Sequence, residues 1–146
     1  MKLNLILVAF LFIFLLIGCN GDNPETINSP EDALKMIEEV GKEREIHVYG
    51  SYEVNDDLVL IVFKGAMNDN DIWIADVHNQ DGQWSAQEIV LMSGPFEGQG
   101  NIQTIIRNDE YGYEVGYMES SVTVIESASV IKIDESIDWK IWIRHS

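Results

Sequence analysis

The stretch Leu58-Val59-Leu60-Ile61-Val62-Phe63 decides the fold of this chain of 146 residues. It is continuously apolar, and the polar turn Asn55-Asp56-Asp57 precedes it. A short apolar run between turn residues is typical of a strand that is covered on both faces. We therefore expect it to lie in the centre of a sheet, with a partner strand on each side.

Segments on both sides of this stretch predict the partner strands. Glu45–Val54 alternates between apolar and polar residues, as a half-buried strand does. Ile72–His78 and Trp84–Met92 flank a hairpin loop that ends in Asp81-Gly82, a pair that tolerates positive φ. Residues 45–92 therefore predict a four-stranded antiparallel meander. The face of the first strand that should be buried carries Ile46, Val48, Tyr52 and Val54.

A glycine-rich segment, Ser93–Gly100, interrupts the strand pattern and carries Phe96, which we expect to be exposed. Alternating and apolar segments resume after it and predict further strands. These are Ile102–Arg107, Tyr111–Glu119, Ser121–Glu126, Ser129–Ile133 and Trp139–Arg144.

One helix is predicted, at about residues 30–40. Ser29 suits the N-cap, Pro30 suits the first helical position, and acidic residues follow in the first turn. No β-α-β alternation is present, so a parallel sheet is not expected. The predicted class is α+β: one N-terminal helix packed on a predominantly antiparallel sheet of about eight strands. An all-β sandwich or barrel with an appended helix is the alternative.

The N-terminus predicts an export signal. Leu5–Ile17 is apolar throughout and follows Lys2, but it is shorter than the ~20 residues that a transmembrane helix needs. A run of this length fits the core of a signal peptide. It ends in Leu16-Ile17-Gly18-Cys19, which resembles the lipobox of bacterial lipoproteins and contains the only cysteine.

The resemblance implies that Cys19 carries fatty acyl chains, palmitate among them, and becomes the first residue of the mature protein. Residues 1–18 would then be the signal peptide, 19–28 the lipidated cysteine and a flexible tether, and 29–146 a single globular domain. It implies a lipid anchor in the cell membrane, on the extracytoplasmic face. The layout is similar to that of small lipoproteins of Gram-positive bacteria, and it assigns no functional residue in the domain.

The charge is strongly acidic, with a formal net charge of -16. Removal of residues 1–18 would leave 8 Lys+Arg against 25 Asp+Glu, a net charge of -17. Such a chain would repel nucleic acid and anionic head groups. It favours cationic partners such as a basic peptide or Ca²⁺, although acidic residues also serve solubility alone.

No sequence motif identifies an enzyme. The chain has no G-x-S-x-G elbow and no phosphate-binding loop, and its one thiol would carry lipid. A His-Ser-Asp set brought together by folding would have to use His47, His78 or His145, so a small cell-envelope hydrolase stays open as an alternative. No cofactor is expected.

Two sets of residues are candidates for binding. Oxygen-rich turns containing Asp69, Asp71 and Asp81 could supply ligands for Ca²⁺, although such residues are also ordinary in turns. Tyr49, Tyr113 and Tyr117 could line an outer face of the sheet, together with Phe96 in its loop. Aromatic rings beside acidic neighbours would suit a cationic or a sugar ligand. The sequence thus predicts a non-enzymatic binding or interaction module, for which a cationic ligand or peptide is one candidate. A narrower version is an immunity-type lipoprotein that intercepts a cationic antimicrobial peptide.

Overall fold

The computed structural model describes residues 27–37, 45–65, 70–123 and 125–146. Within these ranges the chain forms one short helix and eight β-strands. They are α1 (Pro30–Lys35), β1 (His47–Asn55), β2 (Leu58–Lys64), β3 (Ile72–Gln80), β4 (Gln83–Leu91), β5 (Ile102–Asn108), β6 (Tyr113–Glu119), β7 (Ser129–Lys132) and β8 (Trp139–His145).

The strands form two antiparallel sheets of four. The N-terminal sheet has the order β1-β2-β3-β4, which confirms the predicted meander. The C-terminal sheet has the order β5-β6-β8-β7. The fold is therefore richer in β-structure than the predicted single sheet with a helix, and its two sheets are closer to the alternative, a β-sandwich with an appended helix.

The predicted strand at Ser121–Glu126 is wrong. Strands β6 and β7 both pair antiparallel with β8, so they run parallel to each other, and the chain between them must return along the sheet. Its described residues form turns instead, in which Val122 N–H donates to Glu119 O and Ala128 N–H donates to Ile125 O.

The apolar stretch of β2 is buried on both faces, as predicted. Leu58, Leu60 and Val62 pack into a core between the two sheets. Val59, Ile61 and Phe63 pack on the opposite face of the N-terminal sheet, against α1. The core between the sheets is completed from the C-terminal sheet by Tyr113, Val115, Tyr117, Ile131, Ile133, Ile141 and Ile143.

A β-bulge divides the predicted apolar face of β1. The register with β2 shifts between Val48 and Gly50. An extra residue at a bulge reverses the side-chain alternation after it. Ile46 and Val48 therefore face α1, whereas Tyr52 and Val54 face the core between the sheets.

Helix α1 is shorter than predicted. Ser29 caps it as expected, since its Oγ accepts a hydrogen bond from Asp32 N–H at 3.1 Å. The helix ends at Lys35, and the amides of Met36 and Ile37 bond three residues back, which is the tighter geometry of a helix that is closing. Ala33 and Leu34 are buried on the sheet, while Met36 is exposed. Residues 38–44 lie outside the described ranges.

The two ends of the sandwich differ in their connections. The turn end contains the turns at residues 56–57, 81–82 and 109–112. The loop end contains residues 93–101 and 133–138. The turn end joins the two sheets through the Tyr111 and His78 rings, whose centroids are 4.9 Å apart. The loop end joins them through Asp134 and Lys64, 3.1 Å apart.

Candidate functional site

The loop of residues 93–101 is held by one side chain, that of Gln103 on β5. Its Oε1 accepts a hydrogen bond from Phe96 N–H at 2.8 Å. Its Nε2 donates to Phe96 O at 3.0 Å and to Gly100 O at 3.1 Å. Gln103 is itself buried, so the glycine-rich loop is fixed from beneath while the Phe96 ring stays 48% exposed.

The backbone of Gln103 is fixed in turn by close packing within the C-terminal sheet. A Cβ at position 116 would overlap Gln103 O, so only glycine allows β5 and β6 to approach this closely. The Trp142 indole N–H donates to both Gln103 O at 3.2 Å and Tyr117 O at 3.1 Å. A bulge in β5 between Thr104 and Ile106 lies directly beside this contact.

The loop and the C-terminal sheet enclose the loop-end cleft, of about 370 Å³. Glu119 and Trp139 are directly opposite each other on β6 and β8, so their side chains leave the same face of the sheet. Phe96 and Glu97 approach from the loop. The described lining holds two aromatic rings and two carboxylates and no lysine or arginine. It consists of Pro95, Phe96, Glu97, Gly98, Gly100, Asn101, Gln103, Glu119 and Trp139.

Tyr49 lies at the same end but serves to join the two sheets. Its hydroxyl donates to Asp134 Oδ2 at 2.8 Å, and Lys64 Nζ binds the same oxygen at 3.1 Å. These two hydrogen bonds hold the pKa of Asp134 below its usual range, and the bond from Tyr49 has the larger effect. Burial, and then the hydrogen bond to Asp134, raises the pKa of Tyr49.

The predicted outer face of three tyrosines does not form. Tyr113 and Tyr117 are 3% and 1% exposed, because they point into the core between the sheets. The Tyr113 hydroxyl donates to Asp76 Oδ2 at 2.7 Å, and the Tyr117 hydroxyl donates to Met92 O at 3.3 Å. Burial raises the pKa of Tyr117 to about 12. Of the predicted binding residues, Phe96 alone reaches the cleft.

Asp76 is a buried carboxyl group that the sequence analysis missed. It is 3% exposed, and burial raises its pKa, opposed by the hydrogen bond from Tyr113. Burial, followed by the bond to Asp76, also raises the pKa of Tyr113 strongly. The sequence offered one clue, since Asp76 is the only acidic residue in the largely apolar strand β3.

Of the residues predicted for a metal site, the two that the structure describes, Asp71 and Asp81, do not come together. Asp71 and Asp81 lie just before and just after β3, so a fully extended strand, about 30 Å long, separates them. Asp69 lies outside the described residues. No group of three or more His, Cys, Asp or Glu side chains in the described ranges is arranged to hold a metal ion.

The three histidines are also dispersed. His47 contacts the Tyr49 ring, with ring centroids 4.9 Å apart, and His78 contacts Tyr111 at the other end. His145 Nδ1 lies 3.2 Å from the backbone oxygen of Ser146. Among the described residues, none of the three is hydrogen-bonded to a carboxylate or a serine hydroxyl, so the hydrolase alternative gains no supporting geometry.

A second cluster that the sequence analysis missed lies on the outer face of the C-terminal sheet. Glu114 is almost fully buried, yet it binds Arg107 on β5 and Arg144 on β8. Arg144 donates from Nε and Nη2 to Glu114 Oε2, at 2.8 and 2.6 Å. Arg144, and then Arg107, hold the pKa of Glu114 below its usual range. The Arg144 guanidinium also lies 5.4 Å from the centroid of the Trp142 ring.

Comparison with known proteins finds no matching family model, curated protein or solved structure. Among the described residues, no helix has the length and apolar character needed to cross a membrane. Cys19 lies outside the described ranges.

Proposed function

We propose that this protein is a lipid-anchored extracytoplasmic lipoprotein that acts as a non-enzymatic binding module for a cationic peptide. The lipobox-like sequence ending at Cys19 supports the anchor. The net charge of -16 supports a cationic ligand. Interception of a basic antimicrobial peptide at the membrane, an immunity-type role, fits both features.

The observation that carries the binding proposal is the loop-end cleft. An aromatic face attracts cations through its quadrupole, and neighbouring carboxylates add to that attraction. Phe96 and Trp139 supply the rings, and Glu97 and Glu119 supply the carboxylates. The loop that carries Phe96 is held before any ligand arrives, which lowers the entropy lost on binding.

The cleft suits a peptide better than a bare metal ion. Ca²⁺ takes six to eight oxygen ligands, whereas much of the cleft lining is the rings of Phe96 and Trp139, and the Oε1 of Gln103 is already bonded to Phe96 N–H. A side chain with an apolar stem and a charged head would use both kinds of surface.

The chain enters the domain far from the cleft. Ile27 O accepts a hydrogen bond from Trp84 N–H at 3.2 Å, and this fixes the entry point beside the start of β4. The cleft follows the other end of β4, seven residues and roughly 23 Å away along the strand. The cleft is therefore separated from the point where the chain enters the domain, and a flexible tether from Cys19 would leave it accessible to a peptide.

Two measurements test this proposal. Cells expressing the full chain and its Cys19→Ala variant are grown with labelled palmitate, and we expect label and membrane association in the wild type alone. The purified full chain in neutral detergent is then titrated with hexalysine and with hexaglutamate by calorimetry. We expect binding of hexalysine only, weakening as salt is raised. Absence of salt-sensitive binding to any basic peptide would contradict the binding role.

A further inference from the structure

We propose that the loop-end cleft selects arginine, and that it holds one arginine side chain of the peptide between Phe96 and Trp139 with its guanidinium on Glu119 and Glu97. This inference rests on the proposed function and specifies its ligand. The cleft would then bind arginine in preference to lysine within a basic peptide. Attraction by net charge alone would not distinguish the two residues.

The strongest support comes from the other tryptophan of β8. On the outer face of the C-terminal sheet, the Arg144 guanidinium lies over the Trp142 ring and binds Glu114 on the adjacent strand. That set consists of an indole, a carboxylate on β6 and an arginine between them. This chain therefore already contains one arginine that contacts an indole and a carboxylate of the adjacent strand at the same time.

The described lining of the loop-end cleft also contains an indole on β8 and a carboxylate on β6 but no arginine, and the register differs, since Trp142 is opposite Gly116. Trp139 on β8 lies directly opposite Glu119 on β6. Neither Glu119 nor Glu97 forms an ion pair within the described part of the chain, and no lysine or arginine lines the cleft there. The Ser121 hydroxyl, 3.4 Å from Glu119 Oε2, is the neutral contact of that carboxylate.

The chemistry of the cleft favours a guanidinium over an ammonium. A guanidinium is planar, stacks on aromatic rings and is more weakly hydrated, so it loses less on entering an aromatic cleft. Its five N–H donors can serve two carboxylates at once, whereas an ammonium has three donors on a point charge. The alkyl stem of the arginine would cover part of the exposed Phe96 ring.

The test compares two peptides of equal charge, hexa-arginine and hexalysine, on the purified full chain in neutral detergent. We expect hexa-arginine to bind about fivefold more tightly. Phe96→Leu keeps an apolar side chain but removes the ring, and Glu119→Gln keeps the shape but removes the charge. We expect each to lower the preference for hexa-arginine to less than about twofold.

Two control variants at the turn end match these substitutions. Tyr111→Leu removes an exposed ring and Glu110→Gln removes an exposed carboxylate, and both should keep the wild-type preference. Thermal melts check that every variant is folded. If Phe96→Leu melts early, Phe96→Tyr should keep the preference, because it retains an aromatic ring.

The outcomes separate the two proposals. Loss of the arginine preference in Phe96→Leu and Glu119→Gln, with both controls unchanged, supports the inference. Equal binding of the two peptides, or a preference that survives both cleft substitutions, overturns the inference and leaves the proposed function standing. Absence of binding by either peptide overturns both.

Discussion

The turn end and the loop end of this sandwich satisfy their polar groups in different ways. At the turn end, an asparagine closes each turn with its own side chain. Asn55 Oδ1 accepts from Asp57 N–H, Asn79 Oδ1 from Gly82 N–H, and Asn108 Oδ1 from the N–H groups of Glu110 and Tyr111. At the loop end, Gln103 holds a longer loop from a neighbouring strand.

This difference in how the turns and the loop are held indicates which end of the sandwich can accommodate a ligand. A turn that closes on its own side chain is compact and leaves little concave surface. A loop held from outside can stay open and still be rigid, so its outward side chains are available. In the described part of the loop-end cleft these include Phe96 and Glu97. The comparison therefore predicts binding at the loop end, and the following substitutions test what maintains it.

The largest effect is expected from Gly116→Ala. The new Cβ would overlap Gln103 O, and that atom is backbone, so β5 and β6 must separate locally. We expect a loss of about 3 kcal/mol or more in the free energy of unfolding, together with loss of peptide binding. Gly94→Ala is the control, because a Cβ there meets nothing within 4 Å. Denaturant unfolding measures both, and equal stability of the two variants would contradict the account.

A smaller effect is expected from Gln103→Ala. The substitution removes three hydrogen bonds to Phe96 and Gly100, and we expect a loss of about 2 kcal/mol. The freed loop should also bind hexa-arginine more weakly. Gln99→Ala, on the exposed side of the same loop, should change neither quantity. Wild-type affinity in Gln103→Ala would show that the held loop is not needed for binding.

The two buried tyrosines allow a matched comparison of the ends. Tyr113→Phe removes the donor to the Asp76 carboxyl at the turn end, and we expect a loss of about 1.5 kcal/mol. Tyr117→Phe removes a longer bond to Met92 O at the loop end, and we expect about 1 kcal/mol or less. Urea unfolding of both variants checks the order. A larger loss of stability for Tyr117→Phe than for Tyr113→Phe would contradict the expectation that the Tyr113–Asp76 hydrogen bond is the stronger one.

The smallest expected effect is a pH dependence from Asp76. Burial raises its pKa in the folded state, so folding favours the protonated form. Its contribution to stability is therefore present at low pH and is lost as pH rises from the ordinary carboxyl pKa through the raised one. Asp76→Asn cannot lose that proton, so we expect its stability relative to wild type to increase from pH 4 toward neutrality. Its charged neighbours Glu88 and His78, with Tyr113, are common to both proteins. A difference that is constant with pH would contradict this assignment.

The sequence predicted the N-terminal sheet well because each of its strands pairs with the next strand along the chain. Short turns and one apolar stretch determine the pairing of β1 to β4, and neighbouring strands along the chain are neighbours in space. The division into two sheets was predicted only as the alternative, a sandwich with an appended helix, since it depends on packing across the core and not on periodicity. The strand predicted at Ser121–Glu126 failed because this segment belongs to the crossover between β6 and β7, and alternation alone does not reveal that these strands are parallel.

The candidate site was predicted only in part. Phe96 could be chosen because a large ring in a glycine-rich loop is difficult to bury. Trp139 and Glu119 could not be chosen, since their pairing depends on the β6–β8 register. Tyr113 and Tyr117 were assigned to the wrong face because alternation alone does not say which side of a sheet meets the second sheet. The bulge in β1 likewise could not be predicted from alternation, and it divides the side chains of one predicted face between the two faces of the sheet.

The most direct test of the central claim is a map of the ligand-contacting surface by nuclear magnetic resonance. The ¹⁵N-labelled full chain in neutral detergent is titrated with hexa-arginine, and backbone amide and indole shifts are followed. We predict saturable shifts at Phe96, Glu97, Gly100 and Glu119 and at the Trp139 indole. Saturable shifts confined to residues 56–57, 81–82 and 109–112, or weak shifts over the whole acidic surface, would contradict the assignment of the loop end as the binding end.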